Sequence, residues 1–266
     1  MNIKKEFPIL EFDSNQEALI NPRQVTSKYP GLPSHLVVCF FKDVISILLE
    51  REEIFLLTTI YGENDLDIYQ FFNKDVAIIP GKIGAPLCAG FLDECIALGS
   101  KYVMFCGGGG VLRSDLTVGK LIVIDSAIRD EGTSYHYIKP SREIKANQKI
   151  VKKITQYLEN EKIDYILGKT WTTDAFYRET RSKIDLRKEE GAILVEMEQS
   201  AMIAVSQFRG IDYGAIVYGG DDLSSEEWDS RNWKHRGEIR YDLTMLCVDL
   251  VLTFDPLDHL VKGEGL

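Results

Sequence analysis

Several kinds of chemistry are excluded by what this 266-residue sequence has little of. No apolar run approaches the roughly 18 residues of a membrane span. The N-terminal MNIKKEFPILEF has a basic start with no sustained apolar stretch behind it. The expectation is a cytoplasmic protein with no membrane partner. Positive charge is in deficit, 31 Lys and Arg against 41 Asp and Glu, so no basic surface is available for nucleic acid. Five cysteines (39, 88, 95, 106 and 247) form no CxxC pair and lie mostly in apolar runs, which reads as reduced core thiols. Four dispersed histidines (35, 136, 235 and 259) offer no metal cluster. The run Gly107 to Gly110 is followed by Leu112 where a dinucleotide fingerprint needs glycine, and by no Lys-Ser/Thr for a P-loop; a G-x-S-x-G elbow is absent too. No metal or organic cofactor is expected.

What is present is an alternation of periods. Short apolar runs at His35–Phe41, Ile54–Thr59, Val76–Ile79, Tyr102–Cys106, Leu121–Ile124, Tyr165–Leu167, Ala192–Val195 and Tyr213–Tyr218 read as strands. Between several of them lie helical stretches, such as Ala89–Leu98 before a capping Gly99, and Asn147–Glu161 with Ile150, Val151, Ile154, Tyr157 and Leu158 on one face. This pattern predicts an α/β fold with a mixed central sheet, ligands gathering beyond the carboxyl ends of the strands. One domain is expected over 35–255, with an N-terminal extension over 1–34 and a tail over 256–266.

Two stretches carry chemistry. VEMEQSA (195–201) leaves an apolar run and at once presents Glu196 and Glu198 around Met197. Those carboxylates either charge the first turn of a helix starting near Ser200 or hold a ligand. The four glycines after a strand read as a tight turn with positive φ and close packing, or as a nest of backbone N–H groups that binds an anion.

Taken in order, IGAPLCAGFLDECIALGSKYVMFCGGGGVL (83–112), VGKLIVIDSAIRDEGTSYHY (118–137), GKTWTTDAFYRET (168–180), VEMEQSA and AIVYGGDDLSS (215–225) resemble the successive motifs of the purine nucleoside and uridine phosphorylase superfamily, over about two-thirds of the chain. The resemblance implies a mixed sheet forming a distorted barrel flanked by helices, an oligomer, and phosphate-dependent cleavage of the N-glycosidic bond of a purine nucleoside or uridine. It places Met197 and Glu198 on the ribose, since a carboxylate can accept from both vicinal hydroxyls while a thioether packs on the sugar. Glu196 is a nearby carboxylate in the same group. Trp171 and Phe176 are the aromatic platforms for a base, with core packing as the alternative for each, and Arg178 and Arg181 are donors to its carbonyls, although the glutamine of uridine-specific members is missing. Asp221 is the acid that protonates the leaving base; either it or Asp222 could instead form an Asx turn.

At the phosphate the sequence departs from the family. The Gly-Asp-Pro-x-Arg loop is replaced by Cys39-Phe40-Phe41-Lys42-Asp43, and a second arginine is replaced near Met104 or Phe105. Gly107, Gly108 and Gly109, Lys42 and Arg129 remain as phosphate ligands, Arg129 with a structural ion pair as its alternative. Three readings stay open: phosphorolysis, hydrolysis with Asp43 activating water, and nucleoside binding without turnover. His35 or His136 is the histidine that would close a neighbouring subunit's sugar site.

Overall fold

The computed structural model describes residues 3–233 and 235–254, so the expected tail over 256–266 lies outside the described residues. Ten strands form one sheet: β1 (His35–Cys39), β2 (Ile54–Ile60), β3 (Leu66–Phe71), β4 (Val76–Pro80), β5 (Tyr102–Val111), β6 (Leu121–Asp130), β7 (Glu143–Lys145), β8 (Tyr165–Thr173), β9 (Ala192–Glu196) and β10 (Asp212–Asp222). The helices are α1 (Pro22–Thr26), α2 (Lys42–Glu50), α3 (Ala85–Ala97), α4 (Ser134–Tyr137), α5 (Gln148–Asn160), α6 (Arg181–Glu189), α7 (Gln199–Arg209) and α8 (Gly237–Leu252). None of them is long and apolar enough to cross a membrane.

The strand order is β10-β6-β8-β9-β5-β1-β4-β3-β2, and β10 also pairs with β5. That second pairing closes β5, β10, β6, β8 and β9 into a five-stranded barrel of mixed direction, from which β1, β4, β3 and β2 extend as a wing. The expected distorted barrel flanked by helices is therefore what the chain forms. β1 is buried at every residue because parallel β4 and β5 flank it, which is why its sequence is a continuous apolar run rather than an alternating one. α5 buries Ile150, Val151, Ile154 and Leu158 and is capped by Asn147, whose side chain accepts from Lys149 N. Gly99 follows α3 with φ 125°, a conformation that costs glycine little.

β5 is longer than its apolar run suggests, and here the turn reading of the glycines is corrected. Gly107 to Gly110 continue the strand, pair with β10 and β9, and none has positive φ. Close approach is their physical reason. A Cβ on Gly109 would lie 2.4 Å from Leu194 Cδ1 and 2.9 Å from the carbonyl oxygen of Val195, so β9 fits only against bare backbone. Gly109→Ala is expected to lower stability by about 1–3 kcal/mol, the usual range for overpacking a core. Urea unfolding checks it, and an unchanged midpoint would show that β9 yields freely.

Candidate active site

The edge of β5 opposite β10 is shared by two strands that approach from opposite directions. β1 pairs with it in parallel as far as Cys106, and β9 pairs antiparallel from Gly110 onward. Their carboxyl ends therefore meet head to head over Gly107–Gly109. On that edge Phe40 N donates to Cys106 O and Leu112 N donates to Ile193 O. Backbone groups on one edge recur every second residue, so Gly108 turns its N–H into the gap, and it is the exposed member of the run. Gly107 and Gly109 point the other way, toward β10. The expected nest of three consecutive N–H groups is thus reduced to one.

Past the end of β9 the two glutamates divide the roles left open for them. Glu196 is consumed by the fold: Oε1 accepts from the hydroxyls of Thr172 (2.6 Å) and Thr170 (3.1 Å), and Oε2 accepts from the backbone N–H of Glu198 and Gln199, each 2.6 Å. It caps α7, and its placement among the ribose ligands is corrected accordingly, because four donors already occupy its lone pairs. Glu198 is 5% exposed, with Oε1 accepting from Gly84 N at 2.7 Å and the Met197 backbone N–H also directed at its carboxyl. Burial and then the negative charge of Glu196 push its carboxyl up to about 8. Burial raises Glu196 as well, against its four donors. With four donors on it, Glu196 holds its proton less tightly than Glu198. Met197 is half-buried beside Glu198.

Gly84 was not assigned a role from the sequence, although it lies inside one of the family-like blocks. It precedes α3 with φ 104°, and nothing lies within 4 Å of where its Cβ would be. A backbone donor on a positive-φ glycine before Ala-Pro is the signal that could have marked it.

The base-site residues separate in a similar way. Trp171 is fully buried among Leu112, Ile128, Ile184, Ala192, Val195 and Leu223, with its indole N–H on Asp130 Oδ2 at 3.0 Å and the Arg187 guanidinium 5.4 Å from its ring. It is a core residue and no base can stack on it, which corrects its reading as a platform. Its polar flanks misled because Thr170, Thr172 and Lys169 point to the opposite side or to carboxyl partners. Phe176 is 49% exposed on the single turn after β8, its ring 4.1 Å from that of Tyr177. It is the available aromatic. Arg178 is exposed on the same turn, whereas Arg181 is engaged with the carbonyl oxygen of Ser225.

At the end of β10, Asp221 is half-buried and its Oδ2 accepts from Trp228 Nε1 at 2.7 Å. Asp222 makes the turn: Oδ1 accepts from Ser224 N at 2.8 Å and Oδ2 pairs with Arg231. Burial pushes the Asp222 carboxyl up, but Ser224 and Arg231 outweigh it and hold it below the usual range.

Of the cationic phosphate candidates, Arg129 is withdrawn. Its guanidinium donates to Ser134 and Ser141 hydroxyls and to the carbonyl oxygens of Ile138 and Lys139, under the Tyr135 ring. Those bonds, not the ion pair with Asp130 or Glu131, are what it is for. Lys42 is exposed as the first residue of α2, and Asp43 beside it is held by Arg240. At the positions of the lost family residues stand Phe40 and Phe105, ring centroids 4.7 Å apart. Gly81 and Gly107 make room for them, since a Cβ there would come within 2.2 Å of Phe40 and 2.8 Å of Phe105. His35 is buried at the start of β1, against Tyr102 and at the end of the strand away from the gap, so it is withdrawn as a sugar-site histidine. His136 is exposed and lines a cavity of about 530 Å³ with Pro86, Gly132, Thr133, Tyr137 and Asp174.

Comparison with known proteins agrees with this architecture. The profile of the phosphorylase superfamily matches residues 37–241. A guanosine phosphorylase of Halorubrum lacusprofundi is 27% identical over 53% of this chain and 59% of its own length. The chain therefore spans little more than half the length of such curated relatives. Among solved structures, a uridine phosphorylase of Vibrio fischeri superposes with a TM-score of 0.70 at 21% identity, over 88% of this chain and 95% of the other. An AMP nucleosidase of Bacteroides thetaiotaomicron gives 0.68 at 20%, over 84% and 89%.

Proposed function

The chain belongs to the phosphorylase superfamily, and from that premise and the site's geometry we infer that it cleaves the N-glycosidic bond of a ribonucleoside. The observation that carries the reading is Glu198. A buried carboxyl that accepts from backbone N–H groups of Gly84 and Met197, just past the end of β9, is chemically suited to take the two ribose hydroxyls. Met197 then covers the sugar face, Phe176 stacks on the base, Arg178 donates to its carbonyls, and Asp221 assists its departure. Phosphate is the acceptor in this reading, met by Gly108 N–H and Lys42; the base is that of a purine nucleoside or uridine, and the working form is a homo-oligomer.

A second reading has its own support. The Phe40–Phe105 pair puts apolar surface beside the seat of an anion, and an anion stripped of water there is disfavoured, whereas a neutral water is not. Hydrolysis would release free ribose, with no cofactor in either case.

Incubation with guanosine, inosine, adenosine and uridine, with and without phosphate, tests both. Base release with ribose 1-phosphate only when phosphate is present is the first reading; free ribose in both conditions is the second. Nucleoside binding with no base released under either condition would sink both and leave a binding protein.

A further inference from the structure

Trp228 lies three residues beyond the last of the family-like blocks, and no motif gives it a role. Its side chain is 64% exposed. Exposure of one apolar side chain is ordinary; here the ring is exposed and also fixed. Its Nε1 donates to Asp221 Oδ2 at 2.7 Å. Its backbone neighbour Asp229 is bonded to Asp222 in both directions, Asp222 N donating to Asp229 O at 2.7 Å and Asp229 N to Asp222 O at 3.0 Å. The chain between these two aspartates is therefore a loop closed on the carboxyl end of β10, with the indole folded back onto Asp221. A ring held in this way has already given up its rotamer freedom, so little ordering cost remains when a ligand lies against it.

The loop is joined to the other parts of the base site. The Arg181 guanidinium, just past the turn that carries Phe176, donates to the carbonyl oxygen of Ser225, and the Ser225 hydroxyl donates to Glu227 O at 2.7 Å. Leu223 N donates to Val111 O at 2.9 Å, and Asp221 Oδ1 lies 3.4 Å from where a Cβ on Gly110 would be. Those two contacts seat the loop and its indole partner at the end of the β5 glycine stretch, beyond the strand ends where ligands of such sheets gather. Glu179, the residue after the Phe176 turn, feels the same proximity: burial and then Asp221 push its carboxyl up to about 7.

We propose that Trp228 is an aromatic wall of the base site, on which the nucleobase stacks while Asp221 holds the indole N–H. The proposal rests on the reading of the site as one that takes nucleosides. A nucleobase offers a flat π-face, and an indole whose single polar atom is satisfied by Asp221 has its own face left for stacking. The acid candidate and the wall are then one unit, since the hydrogen bond that fixes the ring also fixes the Asp221 carboxyl.

Intrinsic fluorescence and steady-state kinetics on the full chain test this with Trp228→Ala and Trp228→Phe. A base stacked on an indole quenches its emission. Inosine should quench the wild type, and that quenching should disappear in Trp228→Phe, where only Trp171 and Trp233 emit. Trp228→Ala should raise KM for inosine about tenfold, within the range that one stacked base contributes. Trp228→Phe keeps a ring and should stay within about threefold. Quenching that survives in Trp228→Phe, or an unchanged KM in Trp228→Ala, would overturn the proposal. So would a changed oligomeric state of Trp228→Ala at unchanged KM, which would give the indole to a protein interface. Quenching that needs Trp228 while wild type releases no base would end the cleavage reading and leave the wall standing. Base release with no quenching that depends on Trp228 would do the reverse.

Discussion

Glu198→Gln is expected to weaken transition-state binding by about 2–5 kcal/mol, as for truncated buried charge pairs, and yet to raise stability at alkaline pH. The loss follows from position. An amide keeps an acceptor for Gly84 N–H and for one hydroxyl, but cannot accept from both ribose hydroxyls as a carboxylate does, so the loss is greatest as pH nears 8 and Glu198 ionises. The gain follows from linkage. Glu198 binds its proton more tightly folded than unfolded, since burial and Glu196 raise it from the usual glutamate value to about 8. Between pH 4.5 and 8 the folded chain therefore holds more protons than the unfolded one, and stability falls as pH rises through that window, with the loss complete above 8. One such proton can contribute a slope of at most about 1.4 kcal/mol per unit. Melting curves from pH 5 to 9 should show wild type losing stability more steeply than the glutamine variant, whose remaining slope comes from Glu196 and Glu179, both raised by burial. Parallel curves would mean that Glu198 does not titrate in this window, and unchanged kcat/KM would remove it from the site.

Trp171→Ala should be the most destabilising single change considered, by about 3–5 kcal/mol, the range for deleting a buried aromatic. Its ring fills the small core between the barrel and α6, where Leu112, Ile128, Ile184 and Val195 would be left facing a void. Asp130 would lose the indole donor but keep Arg187 and Lys183, so the electrostatic part is the smaller one. For a chain of this length the melting temperature should drop by roughly 6–20 °C, while KM for a nucleoside barely moves. Trp171→Phe should recover much of the loss by refilling the volume. A normal melt combined with a raised KM would instead return Trp171 to the base site and contradict its burial.

Most of the architecture was legible because its signals are local. Continuous apolar runs gave the buried strands β1, β4, β9 and β10, and the helical face of Ile150, Val151, Ile154 and Leu158 gave α5. β3 escaped because Asp67 and Gln70 interrupt its apolar residues near the edge of the sheet, and β7 because it has only three residues. In the site, position in a motif distinguished Glu198 from its neighbours, but the accounts of Glu196 and Trp171 turned on partners distant in sequence, and that of Arg129 on how the following loop folds back over it. The hydroxyls of Thr170 and Thr172, the carboxyl of Asp130 and the carbonyl of Lys139 decide those roles. No spacing rule on one segment can report which side of a strand such a partner will face. The glycine run shows the same limit. Four glycines are compatible with a turn or with a strand that others press against, and only the register with β9 and β10 decides between them.

The head-to-head meeting of β1 and β9 also bears on when the proposed site is assembled as the chain folds. Cys39 and Glu196 are far apart in the chain, yet both must be seated on the same edge of β5 before the gap over Gly108 exists. Contacts of such sequence separation carry the loop-closure entropy that slows folding and forms late. A refolding chain can therefore show much of its helix and its wing of β1, β4, β3 and β2 seated on β5 while β9 is still undocked. In that state α7 lacks its Glu196 cap, Glu198 has no fixed position, and the leucine at 194 has yet to press against Gly109. Regain of nucleoside cleavage should lag behind regain of far-ultraviolet dichroism, with docking of a five-residue strand as the last gate.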